Sequence, residues 1–327
     1  MMTFANLVGH LRAKELLRGA LARETVHSGY LFTGPAGVGR HLAAVEFTRA
    51  WLCLEASGEA CGVCDSCTRV GRAAHPDLLE VHPEERKKSI SIDQVRDLGT
   101  WLAQSPALGR RKAAILDPAD TLRIEGANAL LKTLEEPPPG RIIILIATHP
   151  GALPPTVRSR CQQVSFGSLS DEEVAEVLRR NSWPAQTARQ AAALAEGSPG
   201  NALERDGRVW QETADAVRAM LDALGGGERG AALAFAESTG EARERALMSL
   251  RAIIGCSRLA VRQRLGDRDV DPAAVPPLLG RMGTDQVGRL LAEALEIHRR
   301  LEGDRPPNPK LALTTLLAGA SAPRERQ

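Results

Sequence analysis

Aromatic rings are scarce in this chain: 3% of 327 residues, with Tyr30 the single tyrosine. So few planar side chains argue against a platform on which unpaired bases stack. Net charge is almost absent too, at +2, with 42 basic against 40 acidic residues. A protein that held nucleic acid non-specifically by itself would be strongly basic, so any DNA contact is expected to be shared with other subunits. Lysine is confined to Lys14, Lys87, Lys88, Lys112, Lys132 and Lys310, and arginine carries most of the positive charge. Long hydrophobic runs are missing. The longest, residues 142–147, falls far short of the ~20 apolar residues that cross a bilayer. Residues 1–10 show no basic-then-apolar targeting pattern. The expectation is a cytoplasmic protein with no membrane partner.

What remains is ordinary globular material, 43% apolar and 25% charged, in a chain long enough for two or three domains. Residues 30–166 alternate strand-like and helix-like segments, with strands expected at 30–33, 78–81, 112–117, 142–148 and 162–166. The run at 142–148 is apolar without alternation, as a strand covered on both faces of a parallel sheet would be. Ser91 and Gln94 form a capping box ahead of Val95, Leu98 and Leu102, which share one helical face. A helix over 128–136 is stopped by Pro137, Pro138 and Pro139. The fold class read from this alternation is α/β, layered around a parallel sheet.

Beyond Phe166 the strand signals cease. Ser170 and Glu173 make a second capping box, opening two amphipathic helices that are expected to end near Gly197, Ser198, Pro199 and Gly200. From residue 207 the pattern is helical, broken at Gly225–Gly227, at Asp271 and Pro272, and at Pro306 and Pro307. Val287, Leu290, Leu291, Ala294 and Leu295 form an apolar stripe. Asn308 and Pro309 read as the N-cap and first residue of a final helix.

Four of the 6 cysteines lie close together: Cys53, Cys61, Cys64 and Cys67. Two Cys-x-x-Cys steps share Cys64, and Cys53 would arrive from the end of the preceding helix. Four thiolates suit a tetrahedral zinc ion, and a full thiolate set leaves no position for an activated water, so the metal would be structural. A disulfide pair and a redox dithiol are the alternatives. The first is disfavoured in a reducing compartment, and the second needs only two cysteines. Cys256 reads as a buried apolar residue.

The stretch GPAGVGRH, residues 34–41, has the glycine spacing of a phosphate-binding loop in Gly34, Gly37 and Gly39. Working loops follow the last glycine with Lys, which reaches the phosphates, and Ser or Thr, which holds Mg²⁺. Here Arg40 and His41 stand there. A planar guanidinium fits an ammonium pocket poorly, and Mg²⁺ prefers hard oxygen ligands to imidazole. The strand over 112–117 closes on Asp117, able to support a metal, but Pro118 follows where many such ATPases keep a water-activating Glu. Two readings stay open: a loop that has lost hydrolysis, or a glycine-rich turn that never held phosphate.

Together the glycine loop, the Cys61 to Cys67 insert, the stretch NALLKTLEEPP over 128–138 and the triplet Ser159, Arg160 and Cys161 resemble the bacterial clamp-loader subunits of DNA polymerase III. The resemblance runs through residues 4–205, and the helical remainder fits that family's collar. It implies a RecA-like AAA+ domain over 1–166 with a zinc module inserted at about 53–67, a helical lid over 167–206 and an all-α collar over 207–327. The family's gamma/tau members are ATPases with Gly-Lys-Thr or Gly-Lys-Ser and Asp-Glu. This chain has Gly39-Arg40-His41 and Asp117-Pro118, and aligns Gly200 with their nucleotide-sensing Arg. Each departure follows the family's non-hydrolysing branch, in which Gly34, Gly37, Gly39, Arg40 and His41 are vestigial and ATP is neither bound nor hydrolysed. The partners so implied are gamma/tau and delta subunits in a heteropentamer, with the sliding clamp and primer-template DNA reached through it. Arg160, flanked by Ser159 and Cys161, is implied as an arginine finger for a neighbouring subunit's ATP; the plainer reading is a solvated loop arginine, with Cys161 a packing residue. An active gamma/tau-type ATPase with an atypical loop is the competing expectation.

Overall fold

The computed structural model describes residues 4–55, 58–85, 87–203, 207–228, 230–240, 242–267, 270, 272, 275–303 and 305–321. It divides into two compact units, residues 1–169 and 170–327. The boundary expected at residue 206 and the break expected at Asp271 lie outside the described residues.

The first unit runs α1 (Leu11–Ala22), β1 (Gly29–Thr33), α2 (Arg40–Trp51), α3 (Asp65–Gly71), β2 (Leu78–Val81), α4 (Ile92–Ala103), β3 (Lys112–Leu116), α5 (Ile124–Glu135), β4 (Arg141–Ala147), α6 (Pro155–Arg158) and β5 (Gln162–Ser165). Its five strands form one parallel sheet in the order β2-β3-β4-β1-β5. β4 accounts for the layering. Within its unbroken apolar run, Ile142, Ile144 and Ile146 pack on one face with Tyr30, Phe32 and Phe47. Ile143, Leu145 and Ala147 pack on the other with Leu98, Leu116 and Leu130. A period of two hidden inside a continuous run is what two covered faces require.

The expected caps form. Ser91 and Gln94 close the capping box of α4, whose Val95, Leu98 and Leu102 are buried. One boundary differs: α5 starts at Ile124, a turn earlier than the expected residue 128. Gly126, which reads locally as a breaker, lies where α5 approaches its neighbours; a Cβ there would sit 3.4 Å from Leu122 and 3.8 Å from Val95. Tertiary packing overrides its weak helix propensity.

The second unit is entirely helical among its described residues. It comprises α7 (Asp171–Arg180), α8 (Ala185–Leu194), α9 (Pro199–Leu203), α10 (Gly207–Gly225), α11 (Gly230–Thr239), α12 (Arg243–Arg264), α13 (Pro277–Arg281), α14 (Thr284–Glu302) and α15 (Pro309–Ser321). The Ser170–Glu173 capping box opens α7. Pro199 starts a further short helix where the local pattern reads as a terminus, since proline is well suited to a first helical position. α12 is buried along its length, and Arg262 ties its end to α7 through Asp171 at 2.5 Å and to Asp267 at 2.7 Å. In α14, Val287, Leu290 and Ala294 are buried as expected, whereas Leu295 is exposed. The Asn308 side chain accepts from the Leu311 N–H at 3.1 Å, capping α15. No helix among the described residues is long and apolar enough to cross a membrane.

Candidate functional site

The glycine loop leaves the C-terminal end of β1, where open parallel sheets present their ligand crevices. Its glycines are required by geometry. Gly34 has φ 145°, and a Cβ on it would lie 2.1 Å from the Phe166 carbonyl oxygen. Gly37 and Gly39 also have positive φ, the latter at the entry to α2. His10, edge-on to the Phe166 ring, donates from Nε2 to the Val38 carbonyl at 2.8 Å and pins the loop from outside.

The two side chains that replace Lys and Ser/Thr are both engaged. Arg40 is 8% exposed and donates through Nη2 to Thr148 Oγ1, at the end of β4, at 2.8 Å. Its Nη1 is buried with no hydrogen-bond partner among the described residues. Burial draws the guanidinium below arginine's ordinary pKa, and the nearby charges of Asp117 and Asp120 oppose that pull. His41 lies between two carboxylates, with Nδ1 3.3 Å from Asp117 Oδ2 and Nε2 3.4 Å from Glu80 Oε2. The hydrogen bond that His41 donates to the Asp117 carboxylate raises its pKa, against the effect of burial, and Glu80 adds to the rise. Asp120 accepts from the Thr148 and His149 N–H groups at 3.0 and 2.8 Å. His82, one residue past β2, stands 3.4 Å from Glu80 and 2.8 Å from the Asp117 carbonyl. Glu80, His82, Asp120 and Thr148 escape sequence reading, although three of them lie within four residues of the strand ends that converge here and Glu80 is on β2 itself.

The second cluster holds Cys53, Cys61, Cys64 and Cys67, whose sulfurs all lie within 4.8 Å of one another. None is in a disulfide. Cys61 and Cys67 Sγ are 3.9 Å apart, close to the ~3.8 Å edge of a tetrahedron with Zn–S bonds of about 2.3 Å. Backbone N–H groups point at the sulfurs: Cys61 to Cys53 Sγ, Cys64 to Cys61 Sγ and Cys67 to Cys64 Sγ, at 3.3–3.5 Å. N–H groups of Val63 and Cys64 bring the Cys61 thiol down to about 6. Burial pushes Cys67 up to about 12, so a cation is what would hold it as thiolate. The donor set fits zinc.

A buried polar relay, absent from the sequence reading, joins this knuckle to the sheet. Ser66 Oγ donates to the Leu52 carbonyl at 2.7 Å, leaving it to accept from His75 Nε2 at 3.0 Å. The Asp77 N–H donates to His75 Nδ1 at 3.0 Å. Both contacts require the neutral Nε2–H tautomer, consistent with burial lowering the His75 pKa. The fully buried Asp77 carboxylate accepts from the N–H groups of Ala107 and Leu108 at 2.8 and 2.6 Å.

The third set sits at the opposite end of the sheet. Ser159, Arg160 and Cys161 precede β5, which is parallel to β1, with Tyr30 beside Gln162 and Thr33 beside Ser165. Continued back, the register sets Arg160 level with Ser28, one residue before Gly29, where a Cβ would lie 3.1 Å from the Arg160 carbonyl. The loop begins six residues further along, at Gly34, about 20 Å away at ~3.3 Å per residue. The Arg160 side chain is 36% exposed; it bonds Glu135 Oε1 at 2.6 Å and the Thr156 carbonyl at 3.0 Å. Ser159 Oγ donates to the Thr156 carbonyl at 3.1 Å. Cys161 is buried with Leu31 and Leu134, and burial raises its thiol to about 12.

A parallel sheet with a glycine loop at the end of β1, an acidic residue at the end of β3 and a helical second unit is an AAA+ P-loop architecture. The family model "DNA polymerase III, delta subunit" matches residues 9–170. DNA polymerase III subunit delta' of Pseudomonas aeruginosa is 37% identical over 201 residues, covering 60% of this chain and 61% of that protein. Subunit tau of Escherichia coli is 33% identical over 263 residues, 76% of this chain and 40% of its own length. Subunit delta' of Escherichia coli is 28% identical over 298 residues, 89% and 88% of the two chains. The chain thus spans about three fifths of the first of these relatives and two fifths of the second. It belongs to the delta'/tau/gamma family of DNA polymerase III clamp-loader subunits.

Proposed function

We propose that this protein is the delta-prime-type subunit of the clamp loader, a non-catalytic partner that helps place the sliding clamp on primed DNA. One observation carries the reading. The positions at which an active loop holds phosphate and metal are filled by an arginine and a histidine already in contact with partners inside the protein. Arg40 is buried on Thr148, and His41 is bracketed by Asp117 and Glu80. Pro118 supplies no base beside Asp117. ATP entering this loop would have to displace Arg40 and His41 from these contacts, and would then find no hydroxyl for Mg²⁺.

In this reading Arg160 serves a neighbour's ATP. It lies about 20 Å down the sheet from its own loop, exposed, with a guanidinium that can exchange Glu135 for phosphate oxygens. The neighbours are gamma/tau and delta subunits, joined through residues 207–327 as a collar, with residues 167–206 as the lid. The four cysteines hold one structural zinc ion. The family's active members give the second reading, since tau of Escherichia coli aligns over 76% of this chain. Nucleotide binding and phosphate release by the purified chain decide between them. Neither should be measurable, whereas turnover comparable to an AAA+ ATPase would establish the motor.

A further inference from the structure

The structure assigns Ser66 and His75 a part in metal binding: they are positioning residues that hold Cys53, the ligand carried on a separate element, against Cys61, Cys64 and Cys67. The assignment rests on the zinc site proposed above. Three of its cysteines follow one another at intervals of 3 residues, brought together by a short turn and the start of α3. Cys53 lies 8 residues before Cys61, one past the C-cap of α2. Its approach needs a fixed point of its own.

Ser66 supplies it. The residue stands in the first turn of α3 beside Cys67, and both are fully buried. Its Oγ donates to the Leu52 carbonyl at 2.7 Å. That carbonyl and the Cys53 N–H share one rigid peptide plane, so the bond pins the backbone entering Cys53 to the residue adjoining Cys67.

The hydrogen positions follow from groups that have no choice. A carbonyl only accepts, so the single Ser66 hydroxyl proton goes to Leu52, and the 3.0 Å contact with His75 Nε2 is one that Ser66 accepts. A backbone N–H only donates, and Asp77 presents one to His75 Nδ1 at 3.0 Å. His75 thereby fixes the rotor of Ser66. Asp77 is in turn tied to the sheet, its carbonyl accepting from the Ala113 N–H of β3 at 2.9 Å. Were the relay only to satisfy buried polar groups, its loss would weaken the metal-free and the metal-loaded protein alike. A positioning role acts on their difference, because an ion that binds the folded chain stabilises it according to its affinity.

The test is the zinc affinity of the full chain, by competition with a chromophoric chelator, for wild type, Ser66→Ala, His75→Gln and the double variant. Far-UV circular dichroism checks the fold of each. Ser66→Ala keeps all four thiolates, yet its affinity should fall ~10-fold or more. The gap in Tm between zinc-loaded and chelator-stripped protein should narrow with it. Alkylation of the zinc-loaded variant should mark Cys53 ahead of the other three. His75→Gln should weaken binding by itself and add nothing in the Ser66→Ala background, because it acts through the hydroxyl; an additive loss takes His75 out of the assignment. Wild-type affinity in Ser66→Ala, an unchanged Tm gap, or even labelling of the four cysteines overturns the positioning role and leaves the zinc site standing. A folded wild type that takes up no zinc overturns both.

Discussion

Replacing Arg160 by alanine separates a structural role from one exercised on a partner. Within the chain, the substitution removes an ion pair to Glu135 at 2.6 Å and a hydrogen bond to the Thr156 carbonyl at 3.0 Å. The two charged side chains are 36% and 48% exposed, and ion pairs in such settings contribute at most about 1 kcal/mol. The expected cost is therefore below ~1 kcal/mol, a Tm shift of no more than ~4 °C for a unit of this size. If Arg160 instead grips a neighbour's phosphate, the loss at that one site is of order 10³–10⁵ in rate, about 4–7 kcal/mol of barrier. The two outcomes differ several-fold in free energy.

The assay reconstitutes the complex with wild-type gamma/tau and delta, and measures assembly, ATP hydrolysis and clamp loading on one preparation. Assembly should be normal and loading should fail. Total hydrolysis should drop in part, because the other sites draw arginines from their own neighbours. Arg160→Lys should rescue poorly, since an ammonium lacks the bidentate fork. Normal loading by a fully assembled Arg160→Ala complex refutes the reasoning and leaves Arg160 a surface residue.

Elemental analysis of protein purified without chelator should find zinc at the cysteines, and Cys67→Ser should abolish it there; a folded, metal-free wild type with four titratable thiols argues otherwise. Arg40→Lys should not restore ATPase in a phosphate-release assay, because His41 and Pro118 remain, so turnover in that single variant would show that Arg40 alone blocks the loop. Gly34→Ala should destabilise the first unit by about 3 kcal/mol or more, from positive φ and a Cβ 2.1 Å from the Phe166 oxygen; an unchanged melting curve contradicts the loop geometry. Burial depresses the folded-state pKa of His75 below the ordinary 6.5, so its contribution is complete above the unfolded value and is lost as pH falls from there towards the folded one. Denaturant melts from pH 8 to pH 5 should therefore show wild type losing more stability than His75→Gln, whose amide can supply one donor and one acceptor; parallel losses would count against the neutral tautomer.

Local chemistry alone determined much of this protein. The five strands, the capping boxes at Ser91 and Ser170, the cap at Asn308 and the cysteine knuckle are legible because each rests on residues adjacent in sequence. The same holds for the glycine loop, where Arg40 and His41 stand in place of the Lys and Ser/Thr of a working loop. What the sequence could not supply is who answers those side chains. Thr148, Asp117 and Glu80 meet Arg40 and His41 only because parallel strands β4, β3 and β2 end at the same edge of the sheet. Gly126 is helical, and Leu295 is exposed, because of the surfaces packed around them rather than their own propensities. The separation of Arg160 from the loop is likewise tertiary. The parallel register of β5 with β1 puts them at opposite ends of one sheet, and no spacing along the chain encodes that distance.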